Sequence, residues 1–149
     1  MFYSITGNVV YFDAQCVAID CNGVAFKCFA TTNTLKNVAK TGEKVTLFTY
    51  LNVKEDALDL YGFYTQQELE CYKILISVSG VGAKMALAVL SEMTPEQLAL
   101  SIAAGDTKAI TRANGVGNKI AQRIVLELKD KLAELEKAHI THYGYNRSI

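Results

Sequence analysis

The sequence predicts an α+β protein in two parts, a β domain over residues 1–64 and a helical domain over residues 65–138. Up to residue 64 the chain is rich in Val, Phe, Tyr and Thr and is interrupted by turn residues, a composition typical of short strands. From Thr65 onward Ala, Leu, Glu, Lys and Gln dominate, and apolar residues recur at helical spacing. Residues 139–149 have no apolar period, and we expect them to form a linker-like tail.

Composition narrows the class of protein. The chain has 149 residues, half of them apolar, and its 15 Lys and Arg balance its 15 Asp and Glu. No field of the whole molecule therefore attracts nucleic acid, and any such binding must be local. No apolar run approaches the roughly 18 residues of a membrane span, and the N-terminus has no signal-peptide pattern. We expect a cytoplasmic protein without membrane contact, whose four cysteines, lacking a CxxC pair, are inert thiols.

The β domain begins with a strand that carries a glycine. Ile5, Val9 and Tyr11 fall on one face of this strand, and Gly7 indicates a bulge or a close backbone approach. Asn22-Gly23 lies between two apolar runs, which is a strong hairpin signal. A later strand alternates from Val45 to Val53. Five short strands in about 60 residues cannot cover both faces of an open sheet, so they predict a small barrel of the oligonucleotide-binding type.

The helical half contains clear start signals. Thr94 is predicted to cap a helix, with Pro95 at its first position and Gln97 three residues after the cap. Asp106 is predicted to cap a short helix that ends near Arg112. A longer helix is predicted from Lys119 to about Ala138, with Glu127 and Lys131 as an i,i+4 ion pair.

The helical half also contains an internal repeat. Ser79-Gly80-Val81-Gly82-Ala83-Lys84-Met85-Ala86 matches Asn114-Gly115-Val116-Gly117-Asn118-Lys119-Ile120-Ala121 at an offset of 35 residues. Each copy reads as a helix, a Gly-Val-Gly turn and a second helix, and we expect the two valines to hold the turns against the core. This is the helix-hairpin-helix pattern.

The repeat indicates a pair of phosphate sites. Free backbone N–H groups at the start of each second helix attract an anion. Lys84 and Lys119 lie in the first turn of those helices, where the dipole disfavours a cation, which indicates a bound counter-anion. One Gly-x-Gly turn is also typical of a simple helix cap, but two copies at fixed separation favour binding along a duplex backbone. The candidate phosphate-binding residues are Gly80, Gly82, Lys84, Gly115, Gly117, Lys119 and Arg123.

With both hairpins in place, the whole chain resembles the RuvA family, bacterial proteins that bind Holliday junctions and direct their branch migration. The likeness is colinear from Met1 to about Leu132. The matching segments are the first strand with Gly7, the stretch Phe48–Phe63 with Val53-Lys54-Glu55-Asp56-Ala57, the first hairpin Gly80–Ser91 and the second hairpin Gly115–Asp130.

The resemblance implies an assembly and partners. It implies a fourfold homotetramer, or a face-to-face octamer, that binds four-way junction DNA in recombination, repair and the SOS response to DNA damage. It also implies a mobile third domain that engages a RuvB-type motor ATPase, and it suggests a RuvC-type resolvase as a further partner. The sequence stops at Ile149, about where a linker would lead into that third domain, so we expect the domain to be absent.

The acidic turn gains a role only through the resemblance. Alone, Lys54-Glu55-Asp56-Ala57 is typical of a solvated hairpin tip. The resemblance implies that Glu55 and Asp56 form an acidic pin facing the junction centre, with Lys54 as a further DNA contact. Carboxylates there would repel continuous duplex, whereas the splayed arms of a four-way junction would escape much of that repulsion.

The sequence predicts neither catalysis nor a cofactor. It shows no clear nucleophile and base pair, no carboxylate cluster for a metal and no Walker-type loop. His139 and His142 form an HxxH pair without a closed ligand set, so we predict no metal site. The alternatives are a helix-hairpin-helix DNA repair glycosylase, a nuclease subunit, or a single-strand binder using barrel aromatics such as Tyr3, Tyr11, Phe48 and Tyr50.

Overall fold

The N-terminal half of the protein is a closed barrel of five strands. The computed structural model describes residues 1–40 and 42–131. The barrel has the strand order β1-β2-β3-β5-β4, with β3 parallel to β5 and the other neighbours antiparallel. This confirms the predicted barrel. Its strands are β1 (Ser4–Phe12), β2 (Cys16–Cys21), β3 (Val24–Phe29), β4 (Lys44–Val53) and β5 (Leu58–Phe63).

The β2–β3 hairpin confirms the Asn-Gly signal. Cys21 pairs with Val24, so Asn22 and Gly23 alone form the turn. Both have positive φ, 54° for Asn22 and 97° for Gly23. Positive φ at both central residues is the conformation that matches the twist of the flanking strands.

Strand β1 departs from the predicted alternation. Ile5 and Val9 are buried, and a Cβ on Gly7 would lie 2.2 Å from the carbonyl oxygen of Asp20, so this glycine serves a close backbone approach. The register shifts between Val9 and Tyr11, and Tyr11 is 54% exposed. The prediction that Tyr11 shares the inner face was therefore wrong, because this bulge turns the strand outward.

A short helix inside the barrel domain was not predicted. Helix α1 (Thr32–Val38) joins β3 to β4, and the hydroxyl of its N-cap Thr31 accepts a hydrogen bond from the Thr34 amide. Its buried Leu35 and Val38 belong to the core of the barrel.

The second half is helical, as predicted. The helices are α2 (Gln66–Ile76), α3 (Ala83–Glu92), α4 (Pro95–Ala104), α5 (Thr107–Thr111) and α6, which begins at residue 118 and is described to residue 131. Thr94 and Gln97 form the predicted capping box, and Asp106 caps α5. The predicted end of the last helix and the 139–149 tail lie outside the described residues. Within the described range, no helix has the length and apolarity needed to span a bilayer.

One hydrophobic core joins the two halves. Tyr61 and Phe63 of β5 pack with Tyr72 of α2, with ring centroids 5.6 Å and 5.0 Å from that of Tyr72. The half-buried Tyr50 of β4 adds a third contact at 5.2 Å. The barrel strands and helix α2 therefore share buried aromatic surface, which fixes the orientation of the hairpins relative to the barrel.

Candidate nucleic-acid interface

The two predicted hairpins have the same backbone geometry. The first turn follows α2 and contains Gly80 at φ 90°, and the second follows α5 and contains Gly115 at φ 85°. Val81 and Val116 are each 6% exposed, which confirms that they hold the turns against the core. The Val81 amide donates to the Val78 carbonyl at 3.0 Å, and the Val116 amide makes the equivalent bond of 3.2 Å.

Each second helix starts at a glycine. The N-cap of α3 is Gly82, and no side chain caps its first-turn amides. The amide of Ala86 donates to the Gly82 carbonyl at 3.0 Å, and Ala121 makes the same bond to Gly117 at 3.0 Å. The N–H groups ahead of those bonds point out of the helix and can bind an anion.

Gly82 and Gly117 are not required by the fold. Neither has positive φ, and a Cβ built on either one would meet nothing within 4 Å. Gly80 differs for two reasons. Its φ is positive, and a Cβ built on it would lie 3.0 Å from Ile120 Cδ1, so both the backbone and the space favour glycine. A side chain at Gly82 or Gly117 would therefore meet open space and not another part of the described protein.

Lys84 and Lys119 flank these helix starts. Both side chains are exposed, and neither forms an ion pair within the part of the chain that the structure describes. Each lies two residues after its starting glycine, near the free amides. The structure thus brings each lysine to its hairpin, as the repeat predicts.

Arg123 and Lys131 connect the two hairpins. Arg123 Nη1 donates to the Ser79 carbonyl at 3.1 Å, and Lys131 Nζ donates to Ser77 Oγ at 3.2 Å. The predicted ion pair between Lys131 and Glu127 is not formed within the described residues, because the lysine reaches across to Ser77 instead. Neither contact is predicted from the sequence, because each joins residues far apart in the chain.

A buried carboxyl group joins the barrel to the hairpin domain. Glu68 of α2 is 4% exposed, and its Oε1 accepts from the hydroxyls of Thr31 at 3.0 Å and Thr34 at 2.5 Å. Burial raises the pKa of Glu68, and the two hydroxyl donors partly oppose that shift. Asn33 Nδ2 adds a bond of 2.7 Å to the Leu90 carbonyl of α3. The sequence did not predict these contacts between the barrel and the hairpin domain. Thr31, Asn33 and Thr34 lie at the start of helix α1, and that helix was not predicted.

The acidic turn lies at the tip of the β4–β5 hairpin. Val53 pairs with Leu58, and the Lys54 amide donates to the Ala57 carbonyl at 2.8 Å, which leaves Glu55 and Asp56 at the exposed tip. Lys54 Nζ lies 4.0 Å from Asp59 Oδ2. The two carboxylates therefore protrude from the barrel, and Lys54 faces back along the strand.

The remaining candidates are distributed over the molecule. Phe48 and Tyr50 are half-buried against the shared core, whereas Tyr3 is 68% exposed and Tyr11 also faces solvent. Burial raises the pKa of the Cys28 and Cys71 thiols to about 12, which keeps both protonated and unreactive at neutral pH. His139 and His142 lie outside the described residues.

Comparison with known proteins matches both halves. A family model described as the RuvA N terminal domain matches residues 1–62, and one described as a SAM-like Helix-hairpin-helix tandem matches residues 72–130. The barrel and the doubled hairpin are the structural counterparts of these two matches.

Similar curated proteins extend over almost the whole chain. The Holliday junction branch migration complex subunit RuvA of Acetivibrio thermocellus is 43% identical over 144 residues, which cover 97% of this chain and 70% of that protein. The protein of the same name from Clostridium perfringens is 48% identical over 132 residues, or 89% and 66% of the two chains. The chain thus spans about two thirds of the length of these relatives. On these matches, the chain belongs to the RuvA family.

Proposed function

We propose that this chain binds four-way DNA junctions and is the DNA-binding part of a branch-migration complex whose motor is a RuvB-type ATPase. The observation that carries the proposal is the pair of hairpins with one backbone geometry, each with a glycine at the start of its second helix and an exposed lysine two residues later. The relatives that span the chain are named as branch migration complex subunits.

The hairpins are proposed to hold phosphates. Backbone N–H groups at the start of α3 and α6 would donate to phosphate oxygens, and the lysines would supply charge. Such contacts position the protein on DNA without reading its sequence. The proposed phosphate-binding residues are Gly80, Gly82, Lys84, Gly115, Gly117, Lys119 and Arg123.

The acidic pin is proposed to supply selectivity. A carboxylate about 4 Å from a phosphate is repelled by about 1 kcal/mol in water and by about 4 kcal/mol at the lower effective dielectric near a protein surface. Duplex passing over Glu55 and Asp56 would experience this repulsion. The arms of a junction splay away from its centre and would avoid most of it. Lys54 is proposed as an additional DNA contact.

The proposed assembly is a cytoplasmic homotetramer without catalytic activity of its own. Junction DNA has four arms, so four copies of one chain can each bind an equivalent arm in a closed symmetric assembly. We also propose that two tetramers can assemble face to face into an octamer. A RuvC-type resolvase is proposed as a further partner. Sedimentation of the protein with and without junction DNA distinguishes the tetramer from the octamer.

Binding to three DNA forms of shared sequence tests the proposal. Fluorescence anisotropy at one stated salt concentration compares a four-way junction, a duplex and a single strand. We expect the junction to bind most tightly and all three DNAs to remain intact. Equal affinity for junction and duplex would contradict the proposed selectivity for four-way junctions. A preference for single strand would support the alternative in which aromatic side chains of the barrel bind single-stranded DNA. Release of a base or cleavage of a strand would support the glycosylase or nuclease alternative.

A further inference from the structure

The acidic pin has an apolar face that nothing covers in the described structure. Val53 and Leu58 form the last cross-strand pair below the tip, and each is 69% exposed. Side chains directly opposite one another in an antiparallel pair lie on one face, with Cβ atoms about 5 Å apart. Together they present a small apolar surface beside Glu55 and Asp56.

This surface continues the inside of the barrel. The preceding pair on the same face is Leu51 with Leu60, and both side chains pack in the barrel core. The stripe therefore leaves the barrel at Val53 and Leu58.

The opposite face of the pin is polar. It carries the contact of Lys54 with Asp59, whose charged groups are 4.0 Å apart. The pin thus combines an acidic tip, one polar face and one apolar face.

These surfaces favour one chemical class of ligand. Phosphates are repelled by the carboxylates at the tip. A nucleobase has a flat apolar face that suits an aliphatic pair, and its N–H groups can donate to a carboxylate. In continuous duplex the base faces are stacked on one another, and most base N–H groups are used in base pairs. Only unpaired bases therefore expose both an apolar face and free N–H donors. Charge complementarity therefore favours bases over backbone.

We infer that Val53 and Leu58 pack against the faces of unpaired bases at the junction crossover, while Glu55 and Asp56 accept hydrogen bonds from base N–H groups. This inference rests on the proposed function and adds two specificity-determining residues to it. The pin then stabilises bases that leave the helix, in addition to repelling duplex.

Two junctions with identical backbones test the inference. In one, the four central nucleotides are unpaired thymines; in the other, the same nucleotides are abasic. The wild-type 149-residue chain should bind the thymine junction about three- to tenfold more tightly, because a small aliphatic contact with a base is weaker than stacking on an aromatic ring. The Val53→Thr/Leu58→Thr variant has a β-branched side chain at both positions, which suits a strand, and should bind both junctions equally.

A matched control comes from the β2–β3 hairpin of the barrel. Val24 is 57% exposed beside the Asn22-Gly23 turn, and Val24→Thr should keep the wild-type ratio of the two affinities. If the double variant also keeps that ratio while junction is still preferred over duplex, the inference is wrong and the proposed function stands. If the wild type does not prefer junction over duplex, both fail.

Sedimentation velocity separates bases from a protein partner. The double variant should have the mass of the wild type, because the inferred contact is with DNA. A variant that sediments as a smaller species would place Val53 and Leu58 against a second copy of the chain and overturn the inference.

Discussion

Arg123 Nη1 donates a hydrogen bond of 3.1 Å to the carbonyl oxygen of Ser79, so the second helix of one hairpin holds the turn of the other. The Lys131 bond to Ser77 adds a contact between the same two elements. Both bonds place a cation near the C-terminal end of α2, where the helix dipole favours positive charge. The two proposed phosphate sites are therefore held at one fixed separation.

Fixed separation predicts additive loss of phosphate contacts. Lys84→Ala and Lys119→Ala should each reduce the slope of log K against log salt by about 0.9, and together by about 1.8. Junction and duplex affinities should fall by similar factors, because these contacts do not read DNA form. Lys36→Ala on α1 is the control, since Lys36 is exposed far along the chain from either hairpin. An unchanged slope in the double variant would exclude the hairpins from binding.

Because a side chain at Gly82 or Gly117 would meet open space, a substitution there should change DNA binding without lowering the stability of the fold. Serine is a better N-cap than glycine by a few tenths of a kcal/mol, so Gly82→Ser/Gly117→Ser should preserve or slightly raise the free energy of unfolding. The new hydroxyls would also occupy the first-turn amides and the space of a phosphate. We expect weaker junction binding in anisotropy titrations, with no loss of stability in urea unfolding. Wild-type affinity in this variant would show that no ligand approaches these glycines.

Removing the charges of the pin should reduce selectivity. Glu55→Gln/Asp56→Asn keeps size and polarity and deletes two negative charges, so duplex affinity should rise. Junction affinity should change less, because the hairpins provide most of the grip. The measured quantity is the ratio of the two affinities at one salt concentration. If it equals the wild-type ratio, the acidic turn is only a solvated loop.

Glu68 predicts a pH dependence of stability. Its pKa is raised above its ordinary value of 4.5 in the folded protein, so the folded state binds the proton more tightly than the unfolded state. That contribution is fully present below pH 4.5 and is lost as pH rises through the folded-state pKa.

Glu68→Gln tests this dependence directly. The amide oxygen can still accept from Thr31 and Thr34, but it does not titrate, so unfolding free energy should decline less above pH 4.5 than in the wild type. Glu92→Gln on the exposed end of α3 should keep the wild-type profile. Identical profiles for wild type and Glu68→Gln would show that Glu68 titrates normally.

Local signals in the sequence predicted local structure well. Asn22-Gly23 and the Thr94 capping box depend on residues within four positions, and both formed as expected. Helix α1 has only seven residues, too few for a helical period to emerge from a β-rich background. The outward turn of Tyr11 depends on a bulge in pairing with another strand.

Long-range contacts account for what could not be predicted of the candidate site. The hairpin glycines and lysines were found because they recur in the sequence. The Arg123 contact joins residues 44 positions apart, and the Glu68 contacts span 37 and 34 positions. Neither leaves a periodic pattern, because each depends on how separate elements pack.

The aromatic packing of Tyr61 and Phe63 on Tyr72 means that the barrel and the hairpins are not independent modules. Cutting the chain between β5 and α2 would expose the apolar surface of the shared core on both fragments, and only the interior core of the barrel would stay whole. The two halves should unfold in a single cooperative transition. A substitution at Tyr72, which is fully buried in this shared core, would therefore disturb the acidic pin and both hairpins together.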